Sequence, residues 1–317
     1  MNKHKPKSGP RAYTKRWFNM RRKTIGASEA AAVCGMSRWA QPLAVYQRKI
    51  DGEGEQPKTE VQMMGHLLEP SILKGYHMKV KGTMQASVPM LIHPEIPFMV
   101  ATPDALWTDS DVPKSKIMEH NYIPVDAKSS RQQSHWGKEG TDDIPQEYIM
   151  QAQQQMAVTG AMRCDLPVLL PTLSIKVYRV LRNDPLIHTI VAAEKEMIER
   201  IENRDPPEAD WTHPGAAELL GQVYGVKQEV SVQLDGFASS LWDEMEELKA
   251  QRSSIDGDIS TRRARILKLM KDAARGALPD GRTLRRKEVR REEGVVPAYS
   301  YVRMSCSKPR DGEQSNE

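Results

Sequence analysis

Apolar residues in the first two thirds of the chain recur mainly at helical spacing, separated by short continuous apolar runs. Around Pro70 this spacing predicts a helix with an apolar face, kinked there because proline lacks the amide hydrogen that a helix interior uses. Runs at 88–92 and 97–101 predict buried strands, and 174–181 predicts another strand. The apolar positions of the helix around Pro70 are Val61, Met64, Leu68 and Ile72.

Two more helices are predicted in the middle of the chain. One begins near Pro145, since proline suits the first helical turn, and its buried face carries Ile149, Ala152 and Met156. The other runs from about 187 to 201 and is ended by the prolines that follow it.

After residue 234 the apolar positions follow a seven-residue repeat. Leu241, Leu248 and Ile255 predict a long helix or a helical hairpin with a coiled-coil-like seam, which would serve as core or oligomer contact. The Asp-Gly-Asp sequence at 256–258 is a candidate break in this helix. A Pro-Asp-Gly turn and alternating basic and apolar residues over 278–304 predict a small hairpin.

The composition fits a catalytic domain with an appendage. The chain has 317 residues, of which 39% are hydrophobic and 28% charged, enough for one substantial core. We expect a cytosolic protein without a transmembrane helix or signal peptide, because apolar runs are short and none follows the basic N-terminus. The three cysteines are scattered without ligand spacing, which argues against a disulfide framework, a zinc site or an iron–sulfur cluster.

The net charge of +4 is modest, but the basic residues are clustered. Nine lysines and arginines precede the first acid, Glu29, and a second basic cluster lies at 282–291. Such clusters are typical of proteins that bind a polyanion. For 3–15 an alternative stays open, in which the segment is a disordered, solubilising arm.

Two short tracts carry the candidate chemistry: Pro103-Asp104 and Asp126-Ala127-Lys128. Since side chains alternate across a strand, Asp126 and Lys128 point to the same face. Two carboxylates brought together repel unless a divalent cation lies between them, and their hard oxygens suit Mg²⁺ or Mn²⁺. The lysine would orient the attacking water or neutralise charge on a phosphate, as in metal-assisted phosphodiester hydrolysis. Taken alone, the tracts fit an exposed turn and a solvated strand end better than a catalytic site.

Four tracts in chain order resemble the YqaJ-like viral recombinase nucleases, the family that includes phage lambda exonuclease. The resemblance covers roughly residues 13–211. It implies a restriction-endonuclease-like α/β fold, with a mixed central sheet flanked by helices, before the helical and hairpin appendage. The tracts are WFNMRRKTIGASE at 17–29, GHLLEP at 65–70, the Pro-Asp and Asp-x-Lys pair, and YIMQAQQQMAVTG at 148–160.

The resemblance assigns roles to individual residues. Asp104 and Asp126 would hold the metal with the Ala127 carbonyl, and Lys128 would act on the nucleophile. Asp126 departs from many relatives, which have glutamate there, and this leaves the metal geometry open. Further roles are a second ion or its water for Glu69, and orientation of the scissile phosphate for Gln151 and Tyr148.

The resemblance also implies a pocket for the 5′-terminal phosphate of DNA. Its residues would be Arg21 and Ser28, and Ser28 is in addition predicted to cap the N-terminus of the helix that begins there. Related nucleases of another type carry a metal-binding histidine on the helix of Glu69, but lambda exonuclease has none, so His66 stays unassigned.

The function implied is Mg²⁺-dependent digestion of one strand from double-stranded DNA ends, in the 5′-to-3′ direction, for phage-type recombination in a bacterial cytosol. A single-strand annealing protein and a ring-shaped, trimeric homo-oligomer are the expected partners. Alternatives are an endonuclease of the same fold and a catalytically inactive DNA-end-binding module. The predicted domains are a disordered basic arm (1–12), the nuclease domain (13–211), a linker (212–230), the appendage (231–306) and a disordered tail (307–317).

Overall fold

The computed structural model describes residues 5–52, 59–224, 229, 232–290 and 300–306. The chain divides into two units, 1–226 and 227–317. Helices of the first unit are α1 (Lys15–Arg21), α2 (Ala30–Val33), α3 (Pro42–Asp51), α4 (Glu60–Lys79), α5 (Gln146–Thr159), α6 (Asp184–Asn203) and α7 (Ala216–Tyr224). Its strands are β1 (Lys7–Ser8), β2 (Ile25–Gly26), β3 (Thr83–Ala86), β4 (Leu91–Ile92), β5 (Met99–Ala101), β6 (Ala105–Thr108), β7 (Ile123–Val125), β8 (Lys128–Ser129), β9 (Arg163–Leu169) and β10 (Ile175–Leu181).

The larger sheet of the first unit has the strand order β10-β9-β7-β6-β3, and β8 pairs with β9 beyond the end of β7. Strands β7 and β8 both run parallel to β9, and the other pairs are antiparallel. Helices pack beside these strands, so the architecture is mixed α/β, as the sequence predicts. The consequence for the site is a strand interrupted between Val125 and Lys128, at the predicted Asp-x-Lys tract.

A smaller sheet, in the order β1-β4-β5-β2, corrects one prediction. The basic arm was expected to be disordered through residue 12, but Lys7 and Ser8 form β1 on the edge of this sheet. Backbone hydrogen bonds between Gly9, Pro10 and Met90 continue the pairing, and Pro10 is buried. Paired amides and carbonyls therefore hold the arm in place despite its charge.

Helix α5 is buried on nearly all sides, although it is rich in glutamine. Met150 and Ala157 contribute to one hydrophobic cluster, and Ala152 and Met156 to another. The helix ends at Gly160, whose backbone is left-handed (φ 72°), as is common at a helix C-terminus. This central helix supplies side chains to both sheets.

Helix α4 differs from its predicted pattern. A single helix runs through Pro70, and its buried residues are Ile72, Leu73 and Tyr76. Val61 and Met64, predicted on the buried face, are exposed. The first half of the helix lacks neighbours on that side among the described residues. Helical spacing alone therefore predicted a buried face in the first half of α4, whereas the buried residues lie in its second half.

The segment predicted as a linker, 212–230, contains α7 instead. Leu219 and Leu220 of α7 pack against the cluster around Ile25, Val45 and Tyr46. Burial of these leucines explains why the first unit extends to residue 226. Residues 225–228, 230 and 231 lie outside the described part of the chain.

The second unit is built from one long helix and three strands. Helix α8 (Gly236–Met270) continues through Gly257, so the candidate break at 256–258 does not form. Strands β11 (Arg275–Ala277), β12 (Thr283–Arg290) and β13 (Ser300–Cys306) form an antiparallel sheet that contains the predicted hairpin. The predicted tail, 307–317, lies outside the described residues. Among the described helices, none is long and apolar enough to span a membrane.

Candidate active site

Strand register brings the two predicted aspartates together. Ala105 and Val125 are partners across the antiparallel pair β6–β7, so Asp104 and Asp126 stand side by side just beyond the ladder. The Asp104 carboxylate (Oδ2) accepts a hydrogen bond from the backbone amide of Ala127 at 2.7 Å. Backbone geometry therefore fixes the separation of the two carboxyl groups more firmly than a loop would.

Asp126 is almost fully buried and is held by three side chains. Its Oδ1 accepts hydrogen bonds from the Nε2 atoms of Gln151, at 2.9 Å, and Gln155, at 2.8 Å. Its Oδ2 forms an ion pair with the Lys128 ammonium. The predicted sharing of one face by Asp126 and Lys128 is thus observed, and the charge of this buried carboxylate is compensated.

The electrostatics of the site keep Lys128 charged. Burial alone would lower the pKa of the Lys128 ammonium, but the carboxylates of Asp126 and Asp104 outweigh that effect and raise it. The pKa of Asp104 is raised well above its ordinary range by burial and then by Asp126, with a smaller contribution from Glu69. Lys128 is therefore a donor and a positive charge at neutral pH rather than a general base.

Glu69 lies on α4 at the edge of this group and is about one third exposed. The His66 ring lies one helical turn earlier, with Nδ1 3.7 Å from a Glu69 oxygen. On its other side the His66 Nε2 is 3.0 Å from the Tyr13 hydroxyl. Burial raises the pKa of Tyr13, and Glu69 and Asp104 raise it further, which shows that all three groups face one region.

Tyr148 lies on α5 inside an aromatic group. Its ring stacks on Trp136, with centroids 5.4 Å apart and planes at 19°, and contacts the exposed Trp39 at 5.7 Å. The Lys128 ammonium lies 5.1 Å from the centre of the Tyr148 ring, within range of a cation–π interaction. Tyr148 therefore joins the carboxylate–lysine group, whereas Trp39 and Trp136 were not found from the sequence.

The predicted phosphate pocket has a different internal arrangement. The Arg21 guanidinium forms an ion pair at 2.9 Å with Glu29, a buried carboxylate that also binds Lys49. Glu29 in turn accepts a hydrogen bond from the Gly26 amide, so Gly26 caps the short 3₁₀ turn at Ala27–Glu29. The prediction that Ser28 is the cap is wrong, because the Glu29 carboxylate takes that place, and Ser28 is exposed.

Glu29 is the anchor of this segment. Burial would raise its pKa, but Arg21 and Lys49 lower it to about 2. The guanidinium of Arg21 also lies against Gly26, where an added Cβ would come within 2.6 Å of its Nη1. Arg21 therefore lies against the Gly26 backbone, two residues before the exposed Ser28. Its guanidinium is already paired with Glu29.

The donor set of the site suits a hard divalent cation. Asp104 and Asp126 present carboxylate oxygens beside the Ala127 backbone. The pKa of Asp104 is raised by burial and then by the neighbouring Asp126 carboxylate, and a bound cation would offset both effects. Within the described residues, no three His, Cys, Asp or Glu side chains converge on one point as a ready metal cluster. Glu69 therefore belongs to the surroundings of the two aspartates rather than to a three-carboxylate cage.

Three glutamines that follow Gln151 show what sequence reasoning missed. Gln155 binds Asp126 from the next turn of α5, a position that i, i+4 spacing from Gln151 would have indicated. Gln154 donates to the carbonyls of Ile25 and Val100 in the smaller sheet. Gln153 donates to the Leu181 carbonyl. Each buried amide therefore has a specific partner.

This chain is similar in sequence to a known domain family and to a bacterial protein. Residues 16–162 match the family model described as YqaJ-like viral recombinase domain. The uncharacterized protein YqaJ of Bacillus subtilis (strain 168) is 27% identical over 186 residues, which is 57% of this chain. The matched part spans 54% of that relative, so the chain covers about half of its length.

Two solved structures are also similar. An alkaline exonuclease from Laribacter hongkongensis matches with 25% sequence identity and a TM-score of 0.49, over 61% of this chain and 94% of that one. A phage related exonuclease from Haemophilus somnus 129PT matches with 16% identity and a TM-score of 0.39, over 57% of this chain and 96% of that one.

The fold and the site define a mixed α/β domain in which two aspartates and a lysine lie together at the end of a sheet. The similarity to the YqaJ-like viral recombinase domain extends over residues 16–162, which is less than half of the chain.

Proposed function

We propose that this chain is a deoxyribonuclease that hydrolyses phosphodiester bonds with the help of Mg²⁺, or of Mn²⁺ in its place. The observation that carries the proposal is the β6–β7 register, which sets Asp104 beside Asp126 with Lys128 on the Asp126 carboxylate. Burying the Lys128 ammonium against the Asp126 carboxylate, with Asp104 nearby, costs desolvation free energy, and a purely structural role does not account for that cost. The presence of all three groups in one place supports catalysis over a binding-only module.

Asp104, Asp126 and the Ala127 carbonyl would hold the metal ion, which when bound supplies Lewis-acid stabilisation of the phosphate and of its attacking water. Lys128, kept protonated by its two acidic neighbours, donates a hydrogen bond to the water or to a phosphate oxygen. Glu69, at the rim, orients water or a second ion.

Gln151 and Gln155 position Asp126. Their two amide groups bind the same oxygen, Oδ1, and so hold the carboxylate in one rotamer while its other oxygen faces Lys128. In this arrangement Gln151 acts through Asp126 as well as on the phosphate. Tyr148, beside Lys128 and partly buried, orients the scissile phosphate through its hydroxyl.

The substrate we infer is double-stranded DNA with a free end, digested along one strand from 5′ to 3′. Arg21 and Ser28 would bind the 5′-terminal phosphate, with the Arg21 guanidinium shared between that phosphate and Glu29. The match to a viral recombinase domain supports a role in phage-type recombination. We further propose that this takes place in the host cytosol, with a single-strand annealing protein as partner and with the chain in a ring-shaped oligomer.

A digestion assay tests the proposal. Linear duplex with a 5′-phosphate, labelled at either terminus, and closed circular duplex are each incubated with the full chain and Mg²⁺. We expect loss of the linear substrate from its 5′ ends and an intact circle, with Asp104→Asn as the inactive control. Nicking of the circle would identify an endonuclease of the same fold, and binding without cleavage would identify an inactive end-binding module.

A further inference from the structure

Helix α8 carries an apolar stripe, interrupted by two arginines, along its exposed surface. The stripe occupies the a and d positions of a heptad repeat, and eight of these ten positions are apolar. Six of its members are between 37% and 83% exposed. The a positions are Ala238, Met245, Arg252, Ile259 and Ile266, and the d positions are Leu241, Leu248, Ile255, Arg262 and Leu269.

An apolar surface of this length is larger than a helix without a packing partner normally exposes to water. The helix has 35 residues and is therefore about 50 Å long. The apolar stripe runs along most of that length. The seven-residue period is that of two helices wound around each other, since the edge then stays in contact along the full length. The period thus indicates a second, equally long helix as the occupant.

The charges along α8 indicate what that second helix is. A segment near the start of the helix, 243–247, is acidic and a segment near its end, 262–268, is basic, so two copies in opposite directions place these unlike charges beside each other. A parallel pair would place like charges together instead. The acidic residues are Asp243, Glu244, Glu246 and Glu247, and the basic ones are Arg262, Arg263, Arg265 and Lys268.

The two arginines in the stripe point to the same orientation. In a parallel pair, Arg252 and Arg262 would each meet its own copy at the seam, with like charges in contact. In an antiparallel pair with the greatest overlap, Arg252 packs beside the partner's Ile255 and Arg262 beside the partner's Met245. The guanidinium groups reach to the flank, where each already lies near an aspartate of its own helix, Asp256 at 3.8 Å and Asp258 at 3.2 Å.

The same alignment produces complementary flanking pairs. Glu244 lies opposite the partner's Arg265, and Lys249 lies opposite the partner's Asp256. We propose that α8 pairs with α8 of a second copy of this chain as an antiparallel coiled coil, joining two molecules through their second units. This association goes beyond the proposed nuclease function and does not depend on it.

Sedimentation of the full chain tests the association. Ile255→Arg places a charge at the centre of the seam, and Ala250→Arg, on the opposite side of α8, is the matched control. We expect Ile255→Arg to halve the mass of the wild-type particle and to raise the dissociation constant on the order of a hundredfold, while Ala250→Arg changes neither. Circular dichroism of both variants shows whether α8 stays helical.

Cysteine cross-linking tests the orientation. Met245→Cys and Arg262→Cys, placed on differently tagged chains and mixed under mild oxidation, should form a mixed disulfide dimer, and Met245→Cys alone should not cross-link above wild type. Charge reversal gives an independent measure: Glu244→Arg should weaken association, and Arg265→Glu added to it should restore association.

Three outcomes would overturn the proposal. These are a wild-type particle with the mass of one chain, a mass that Ile255→Arg leaves unchanged, and efficient cross-linking of Met245→Cys to itself. The first, combined with a lower melting temperature of Ile255→Arg, would show that the stripe packs on its own chain.

Discussion

Helices α5 and α8 reverse the usual relation between composition and burial. The first carries Gln151, Gln153, Gln154 and Gln155, yet it is buried, because each amide has a specific acceptor or donor in the strands and turns around it. The second carries a stripe of leucine and isoleucine, yet it is exposed along most of its length. Burial of a side chain depends on the partners available to it as well as on its polarity. The proposals above accordingly place chemistry beside α5 and association on α8.

The strongest test of the comparison removes the charged groups beside α5. Asp104→Asn and Lys128→Met should each lower the cleavage rate on the order of a thousandfold, because they remove the groups that act on the metal and the water. DNA binding should change little, since affinity rests mainly on phosphate contacts elsewhere. Initial rates and filter-binding affinities measured on the same preparations check this; a near wild-type rate in either variant would show that the site lies elsewhere.

A pair of truncations sharpens the boundary between the two regions. A chain ending at Tyr224 should remain folded and cleave in a single turnover, whereas a chain ending at Trp211 should lose about 3 kcal/mol of stability, because Leu219 and Leu220 no longer cover the core. Urea unfolding of the two chains measures the difference. Equal stability would mean that α7 contributes little to the first unit.

Substitutions within α5 should separate positioning from packing. Gln155→Leu should lower the cleavage rate about tenfold to a hundredfold, because it frees one side of the Asp126 carboxylate, with KM nearly unchanged. Gln154→Leu should leave the rate intact and cost about 2 kcal/mol of stability, since two buried carbonyls lose their donor. Gln155→Asn keeps an amide, whereas Gln155→Glu introduces a carboxylate that would repel Asp126. The two variants together therefore test the role of the amide itself. Identical behaviour of the 154 and 155 variants would argue against a special role for Gln155.

Arg21→Ala should have the smallest effect on catalysis, confined to the DNA end. We expect the preference for a 5′-phosphate over a 5′-hydroxyl end to fall about tenfold, because a charge-assisted hydrogen bond is lost. Arg21→Lys keeps a charge near Glu29 and controls for destabilisation of that segment. An unchanged ratio of rates on the two ends would exclude Arg21 from a phosphate pocket.

The sequence predicted the parts of the site that depend on local order. Alternation along a strand brought Asp126 and Lys128 to one face, and the structure shows them in contact. The pairing of Asp104 with Asp126 needed the register of two strands separated by a connection, which the family resemblance supplied.

Long-range choices between equally suitable groups escaped prediction. Ser28 is a good helix cap by type, but the buried Glu29, fixed by Lys49 from another helix, takes the Gly26 amide instead. The aromatic group around Tyr148 joins Trp39 and Trp136, which lie far apart in sequence, and only the fold brings them together.

The most direct test compares three proteins in one experiment. Single-turnover cleavage of a 5′-phosphorylated duplex, with saturating protein and Mg²⁺, is measured for wild type, Ile255→Arg and Gln155→Leu. We predict equal rate constants for wild type and Ile255→Arg, and a slower one for Gln155→Leu. A wild-type protein without activity, or an Ile255→Arg rate as low as that of Gln155→Leu, would contradict the division between chemistry at α5 and association at α8.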